Sequence, residues 1–183
     1  MSKNTGPKNT DDKTTSGLGP IVSSSHLAEG ASPALSEVEF GMILAQHAFG
    51  RWMVRCMAAA GVSDLSPLDV LVLHTVNHRG RPKKLADICL VLSVEDTHTV
   101  TYSIRKLEKL GLVESGKQGK EKIIAVTEFG ETACRRYGDI RETLLVDAVR
   151  STGLPEERMS EISGFLRALS GHYDQAARAA SSL

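Results

Sequence analysis

Apolar residues in this chain recur mostly three and four positions apart, in blocks that open on a serine, threonine or proline and close on a glycine. Residues 1–33 are the exception. They are rich in Ser, Thr, Gly, Asn, Pro and Lys, with too little apolar surface to offset the entropy of ordering them. A disordered polar tail is expected there. A first helix is expected from Ser36, where Ser36 and Glu39 form a capping box and Leu35 and Phe40 a hydrophobic staple. It should run to about Ala60 and stop at Gly61. Its apolar positions (Phe40, Ile43, Leu44, Ala48, Trp52, Met53, Cys56, Met57) cover more than one stripe. Such a helix needs burial on two sides, by its own core and by a partner subunit.

The start signal repeats at Ser66, Pro67 and Asp69, stapled by Leu65 and Val70. This second helix should reach about His78 and end at Gly80. A third opens near Pro82 and buries Leu85, Ile88, Cys89 and Leu92. The stretch from Ser93 to Val113 then reads as a cap (Ser93 with Asp96), one amphipathic helix, Gly111 and the start of a strand. On a wheel of about 100° per residue, Val100, Ile104 and Leu107 share one side. His98, Tyr102, Arg105 and Lys109 lie opposite, flanked by Thr99, Thr101 and Lys106. After Gly111 the period shortens. Leu112 to Ser115 and Lys122 to Val126 read as two strands, with GKQGKEK between them as a tight turn carrying lysines. Thr127 caps a helix expected to run to about Ser151, with Ala133, Tyr137, Ile140, Leu144, Leu145 and Ala148 as apolar positions. Thr152-Gly153 breaks it, and Pro155 opens the last helix. Met159, Ile162, Phe165, Leu166, Leu169 and Tyr173 are expected to face inward, and the closing AARAASSL to fray.

The fold class implied is mainly α: a winged helix-turn-helix with a two-stranded β-wing and long N- and C-terminal dimerisation helices. The expected divisions are a tail (1–33), an N-terminal dimerisation helix (34–62), a DNA-binding lobe (63–127) and C-terminal dimerisation helices (128–183). The exposed face of the fourth helix carries hydroxyls, an imidazole, a phenol and cations, groups that donate to phosphates and base edges. Arginine can read guanine bidentately. The candidate DNA-contacting residues are therefore Thr97, His98, Thr101, Tyr102, Arg105 and Lys106 on the helix. Lys117, Gln118, Lys120 and Lys122 join them on the wing, within reach of phosphates or the adjacent minor groove. The alternative for this face is an ordinary solvated helix surface.

Composition changes the picture only locally. The 183 residues carry no net charge and are 41% hydrophobic, which suits one domain or a domain with an extension. From Asn77 to Lys122, however, ten Lys/Arg stand against six Asp/Glu, a local +4 balanced by −4 elsewhere. A DNA-contacting lobe on an acidic body would show this, and so would an ordinary solvated surface. No apolar run suits a secretory signal or a membrane span, so a cytoplasmic protein without a membrane partner is expected. Cys56, Cys89 and Cys134 are odd in number and form no CxxC pair, which argues against a disulfide framework. His74 and His78 are four apart on one helix, a spacing open to a metal pair. Without an HExxH glutamate or a nearby CxxC, a structural role is favoured, and no metal or cofactor is expected. No nucleophile–base pair, phosphate-binding glycine loop or metal quartet points to an enzyme.

Four segments carry a family resemblance: LSPLDVLVLHTV in the second helix, LADI in the third, TVTYSIRKLEKLGLVE through the fourth helix and first strand, and IIAVTEFGE closing the wing. With this order of elements, residues 36 to 175 resemble the multiple antibiotic resistance regulator (MarR) family of winged helix-turn-helix repressors. The resemblance implies a homodimeric DNA-binding regulator and a small-molecule effector pocket near the junction of the dimer helices and the DNA-binding lobe. His47, Arg51, Trp52 and Arg55 are candidates for lining it; dimer core and rim is their alternative role. Two departures stand out. The wing's usual Asp-Arg pair is replaced by Gln118-Gly119-Lys120, leaving lysines as point charges without the planar fork of arginine. Leu85 to Val100 is also about four residues longer than the family's spacing implies, which predicts an extended turn through LVLSVED. The absent Asp-Arg pair keeps a second function class open: a protein-interaction module on a winged-helix scaffold.

Overall fold

A computed structural model describes residues 19–119 and 121–183. The chain divides into two units, residues 1–49 and 50–183. In the first, α1 (Ser25–Ala28) is a single helical turn within the stretch expected to be tail. Then α2 (Pro33–Ala59) begins three residues before Ser36. Ser36 therefore does not cap it. The hydroxyl is buried and donates to the Leu27 carbonyl at 2.7 Å, tying the two helices of this unit together.

The second unit holds the core. The last residues of α2 end as expected: Gly61 takes φ +103°, and Val62 N–H donates back to the Met57 carbonyl at 3.0 Å. In α3 (Pro67–Asn77) the capping box is complete. Asp69 N–H donates to Ser66 Oγ at 3.2 Å, and Ser66 N–H donates to Asp69 Oδ2 at 2.7 Å. A short 3₁₀ turn (His78–Gly80) follows. Next comes an element the sequence pattern missed, β1 (Lys83–Lys84), and then α4 (Leu85–Leu92). Ser93 has φ +51° and terminates α4, so it is not the cap of the next helix. That role belongs to Asp96, which accepts from His98 N–H at 2.8 Å and starts α5 (Thr97–Lys109). The extended turn predicted through LVLSVED is absent, because Leu90, Val91 and Leu92 are helical and only residues 93–96 connect α4 to α5.

Two strands, β2 (Val113–Gln118) and β3 (Glu121–Val126), make the wing, and β1 adds a third: the antiparallel order is β1-β3-β2. Lys83 pairs with Ile124 and Lys84 with Ile123. The expected two-stranded wing is thus anchored to the α3–α4 connection through its inner strand. The strands also run further into the polar segment than expected, to the rung Gln118↔Glu121. Backbone pairing, rather than side-chain burial, carries them there. Thr127 caps α6 (Glu128–Arg141) as expected. The helix continues through one π-type turn (Glu142–Val146) into α7 (Asp147–Arg150). The last helix, α8 (Glu156–Ala180), persists through most of the segment expected to fray.

Met57, Val70, Leu73, Val76, Ile88, Val100, Leu107, Leu112 and Ile124 pack into one core from α2, α3, α4, α5 and the sheet, joined by Ala133, Cys134 and Tyr137 of α6. Full burial of each large aliphatic side chain contributes roughly 1.5–3 kcal/mol. The expected inward face of α8 is not part of this core. Among the described residues α8 has none that is buried, and Phe165 is 53% exposed.

Thr127 knots α5, the wing and α6 together. Its N–H donates to the Leu112 carbonyl at 3.1 Å, its hydroxyl donates to the Gly111 carbonyl at 2.6 Å, and the same oxygen accepts Gly130 N–H at 3.1 Å. The knot draws α6 so close that a Cβ on Gly130 would lie 2.1 Å from the Leu112 carbonyl oxygen and 2.8 Å from Val126 Cγ2. Gly130→Ala is expected to destabilise the lobe by about 1–3 kcal/mol through overpacking against backbone. Urea or thermal unfolding would read this as a clear fall in midpoint, and an unchanged midpoint would contradict the contact.

Candidate nucleic-acid interface

The geometry begins with the roll of α5. Val100, Ser103, Ile104 and Leu107 are buried, which leaves Thr97, His98, Arg105 and Lys109 exposed and Tyr102 71% exposed. The Thr101 hydroxyl donates to the Thr97 carbonyl at 2.8 Å, and the Thr99 hydroxyl to the Asp96 carbonyl at 2.7 Å. Their oxygens remain acceptors, so as donors to phosphate they are weaker than the sequence suggested. A cleft of about 390 Å³ runs between the start of α3 and α5, bordered by Ser66, Leu68, His98, Thr99, Tyr102 and Lys106. Farther along α5, Tyr102, Arg105 and Lys109 border a second open cleft.

Lys106, counted among the outward cations, is in fact directed inward. Its ammonium lies 2.8 Å from Oδ2 of Asp69, whose side chain is 2% exposed. Burial alone would raise the Asp69 pKa, but hydrogen bonds from Lys106, Ser103 and Ser66 outweigh it and hold the carboxyl below its ordinary range. Sequence reasoning found Asp69 only as a capping acid, because nothing local marks its partner 37 residues away.

On the wing, Lys117, Gln118 and Lys122 are exposed. Lys117 and Lys122 occupy the same rung. Like charges directly opposite repel, and Glu108 of α5 offsets this only loosely, at 3.7 Å from Lys122. An anion between the two lysines would relieve the repulsion. Glu108 also accepts from the Ser115 hydroxyl, coupling α5 to β2. Lys84 pairs with Glu121 at the other edge of the sheet. Lys120, the remaining wing candidate, lies outside the described residues.

Comparison with known proteins agrees with this geometry. Residues 65–130 match the family model described as a winged helix DNA-binding domain. A solved structure of NMB1585, a MarR family regulator from Neisseria meningitidis, superimposes with a TM-score of 0.62 at 20% identity, covering 78% of this chain and 95% of that one. This is a winged-helix chain with the MarR fold. Reduced AbfR bound to DNA matches with a TM-score of 0.60 at 18% identity over 77% of this chain and 95% of that one, AbfR being a Staphylococcus epidermidis protein. CouR from Rhodococcus jostii RHA1, bound to p-coumaroyl-CoA, matches with a TM-score of 0.57 at 14% identity over 72% and 90%. No curated protein matches the chain. Among the described residues, no helix is long and apolar enough to cross a membrane.

The four effector-pocket candidates do not behave alike in this MarR-fold chain. His47 belongs to the first unit and is exposed; Arg51 and Arg55, in the second, are exposed as well. Trp52 is half-buried, with its ring 6.4 Å from Tyr137, whose other neighbour is His74 at 4.6 Å, both edge-on. Sequence reasoning missed this aromatic cluster, since its members lie on three helices. Among the described residues, neither Trp52 Nε1 nor His74 Nε2, both buried, finds a properly formed hydrogen bond. Burial raises the Tyr137 phenol pKa, and the nearby Trp52 indole opposes it. Cys56 donates to the Tyr137 carbonyl at 3.6 Å. Burial raises its thiol pKa and pushes that of Cys134 up to about 11, so both stay protonated and unreactive at neutral pH.

Desolvation lowers the His74 pKa below its ordinary 6.5. The unfolded imidazole therefore takes up a proton at a higher pH than the folded one. As pH falls below about 6.5, the unfolded state binds more protons and stability declines, whereas above that window the group contributes no pH dependence. His74→Phe, which keeps an aromatic ring against Tyr137, should flatten this decline between pH 7.5 and 5.5 in urea titrations. An equally steep decline in the variant would assign the effect to other groups.

Proposed function

We propose that this chain is a homodimeric, sequence-specific DNA-binding regulator of transcription, acting as a repressor in the cytoplasm. The observation that carries the reading is the α5–wing pair. One amphipathic helix buries an apolar stripe and presents His98, Tyr102, Arg105 and Lys109, beside a hairpin that sets two lysines on one rung. The match of residues 65–130 to a winged helix DNA-binding domain and the likeness to a DNA-bound structure support it. Arg105 is proposed to read a base edge, with Thr97, His98, Thr101 and Tyr102 contacting bases and backbone and Lys117, Gln118, Lys120 and Lys122 contacting phosphates.

The proposed dimer rests on apolar surface that one chain leaves in water. In the second unit α8 exposes Ile162, Phe165 and Leu166; in the first, α2 exposes Ile43, Leu44 and Phe49. Clusters of this kind mark interaction surfaces. Two-fold symmetry then calls for a pseudo-palindromic operator with half-sites about one helical turn, roughly 10 bp, apart. A small-molecule effector is proposed to release the dimer from its operator. The ligand bound to CouR and the two buried ring nitrogens around Tyr137 support it, through a shift in the spacing of the two recognition helices.

Binding of the full chain to its own upstream DNA should fall steeply with salt. Arg105→Ala should cost about 1–3 kcal/mol and relax discrimination at one base position in each half-site. Fluorescence anisotropy on specific and random duplexes measures both. Equal affinity for the two duplexes at moderate salt would instead favour a protein-interaction module.

A further inference from the structure

We propose that Lys106 is a positioning residue for DNA recognition rather than a phosphate contact: its ion pair with buried Asp69 sets the roll of α5 about its own axis. This inference rests on the DNA-binding reading above. The apolar stripe of α5 cannot set the roll alone, because hydrophobic contact is non-directional and tolerates small rotations. A charge-assisted hydrogen bond has a defined direction and length. Here the acceptor is itself buried and bonded to its own helix cap. Asp69 Oδ2 receives the Ser66 N–H at 2.7 Å and the Lys106 ammonium at 2.8 Å, inside the capping box that starts α3. Buried Ser103, one turn before Lys106 on α5, lies beside the same carboxylate and helps hold its pKa down. Two side chains of α5 thus converge on one fixed group of α3. Lys106 stands between the buried stripe and the exposed face, next in sequence to Arg105 and one turn after Tyr102. Any roll that moved those two side chains would stretch the ion pair. The pair also borders the cleft that His98, Thr99 and Tyr102 share with the start of α3, so releasing it alters the wall beside the reading face.

The test uses the full chain, its upstream duplex and a random duplex, each titrated over a range of salt. Lys106→Met should lower specific affinity about tenfold or more while leaving the random-duplex affinity and the salt slope as in the parent. Asp69→Asn should lower the specific-to-random ratio in the same way, although it removes no cation facing DNA. Lys106→Arg, which can still pair with Asp69, should restore specific binding. A phosphate contact predicts otherwise: Lys106→Met would reduce the salt slope by about one per subunit and weaken both duplexes alike, and Asp69→Asn would leave the ratio intact. That pattern would overturn the proposal. Should Lys106→Met fail to fold, Asp69→Asn decides alone, since it keeps an acceptor for the Ser66 N–H; an unchanged ratio rejects the positioning role. If the parent chain does not prefer its own upstream DNA, the functional reading is what has failed. The ion pair is then judged separately by urea unfolding of the two single variants and the double variant: strong coupling between positions 69 and 106 supports it, and additive losses reject it.

Discussion

The buried carboxylate of Asp69 is the constraint on which the winged-helix lobe depends. An anion removed from water is tolerated only when donors replace the water, and here they come from its own cap at Ser66 and from Ser103 and Lys106 on α5. Removing Lys106 leaves that buried charge without its countercharge, a loss moderated by the 30% exposure of the lysine side chain. The chain is therefore held to an arrangement in which the start of α3 and the C-terminal half of α5 stay together. Just past the C-terminal end of the same helix, Thr127 fastens Gly111 and Leu112 to α6, and Gly130 lets the two approach. Both points hold the C-terminal half of α5, and Glu108 ties it further to the wing through Ser115 and Lys122.

The helices that follow the wing obey a different rule. The core contributed by α6 ends near Tyr137 and Ile140, after which the chain passes through a π-type turn into segments without a buried residue. Such helices gain little from their own chain, since an isolated helix is marginal in water without an apolar face to bury. In the proposed dimer a second copy supplies that burial, so the stability of the arms and the spacing of the two reading heads become one quantity. A ligand that favours one arrangement of the arms would act on DNA affinity through it, without touching the helix proposed to read bases.

Legibility followed the range of the interaction. The Ser66–Asp69 box, the glycine stop after α2, the Thr127 cap and the amphipathic stripe of α5 were all readable, because each links residues within a turn or two. The two other serine caps were misread. Ser36 and Ser93 have the right side chain for an N-cap, yet one is buried against Leu27 and the other sits at φ +51° closing α4. A short polar side chain suits several local roles, and neighbouring elements choose among them. Strand β1 is two lysines long and has no hydrophobic period to detect; it exists because β3 offers an unpaired edge.

The sequence by itself determined the order of helices, the position of the wing and the face of α5 that meets solvent, since periodicity and capping are local properties of the backbone. Tertiary structure alone decided that Lys106 turns inward to Asp69, that Trp52, His74 and Tyr137 meet, that the wing gains a third strand and that α8 buries no residue among the described ones. Each of those outcomes depends on groups dozens of residues apart competing for the same burial or the same charge, and no local pattern records that competition.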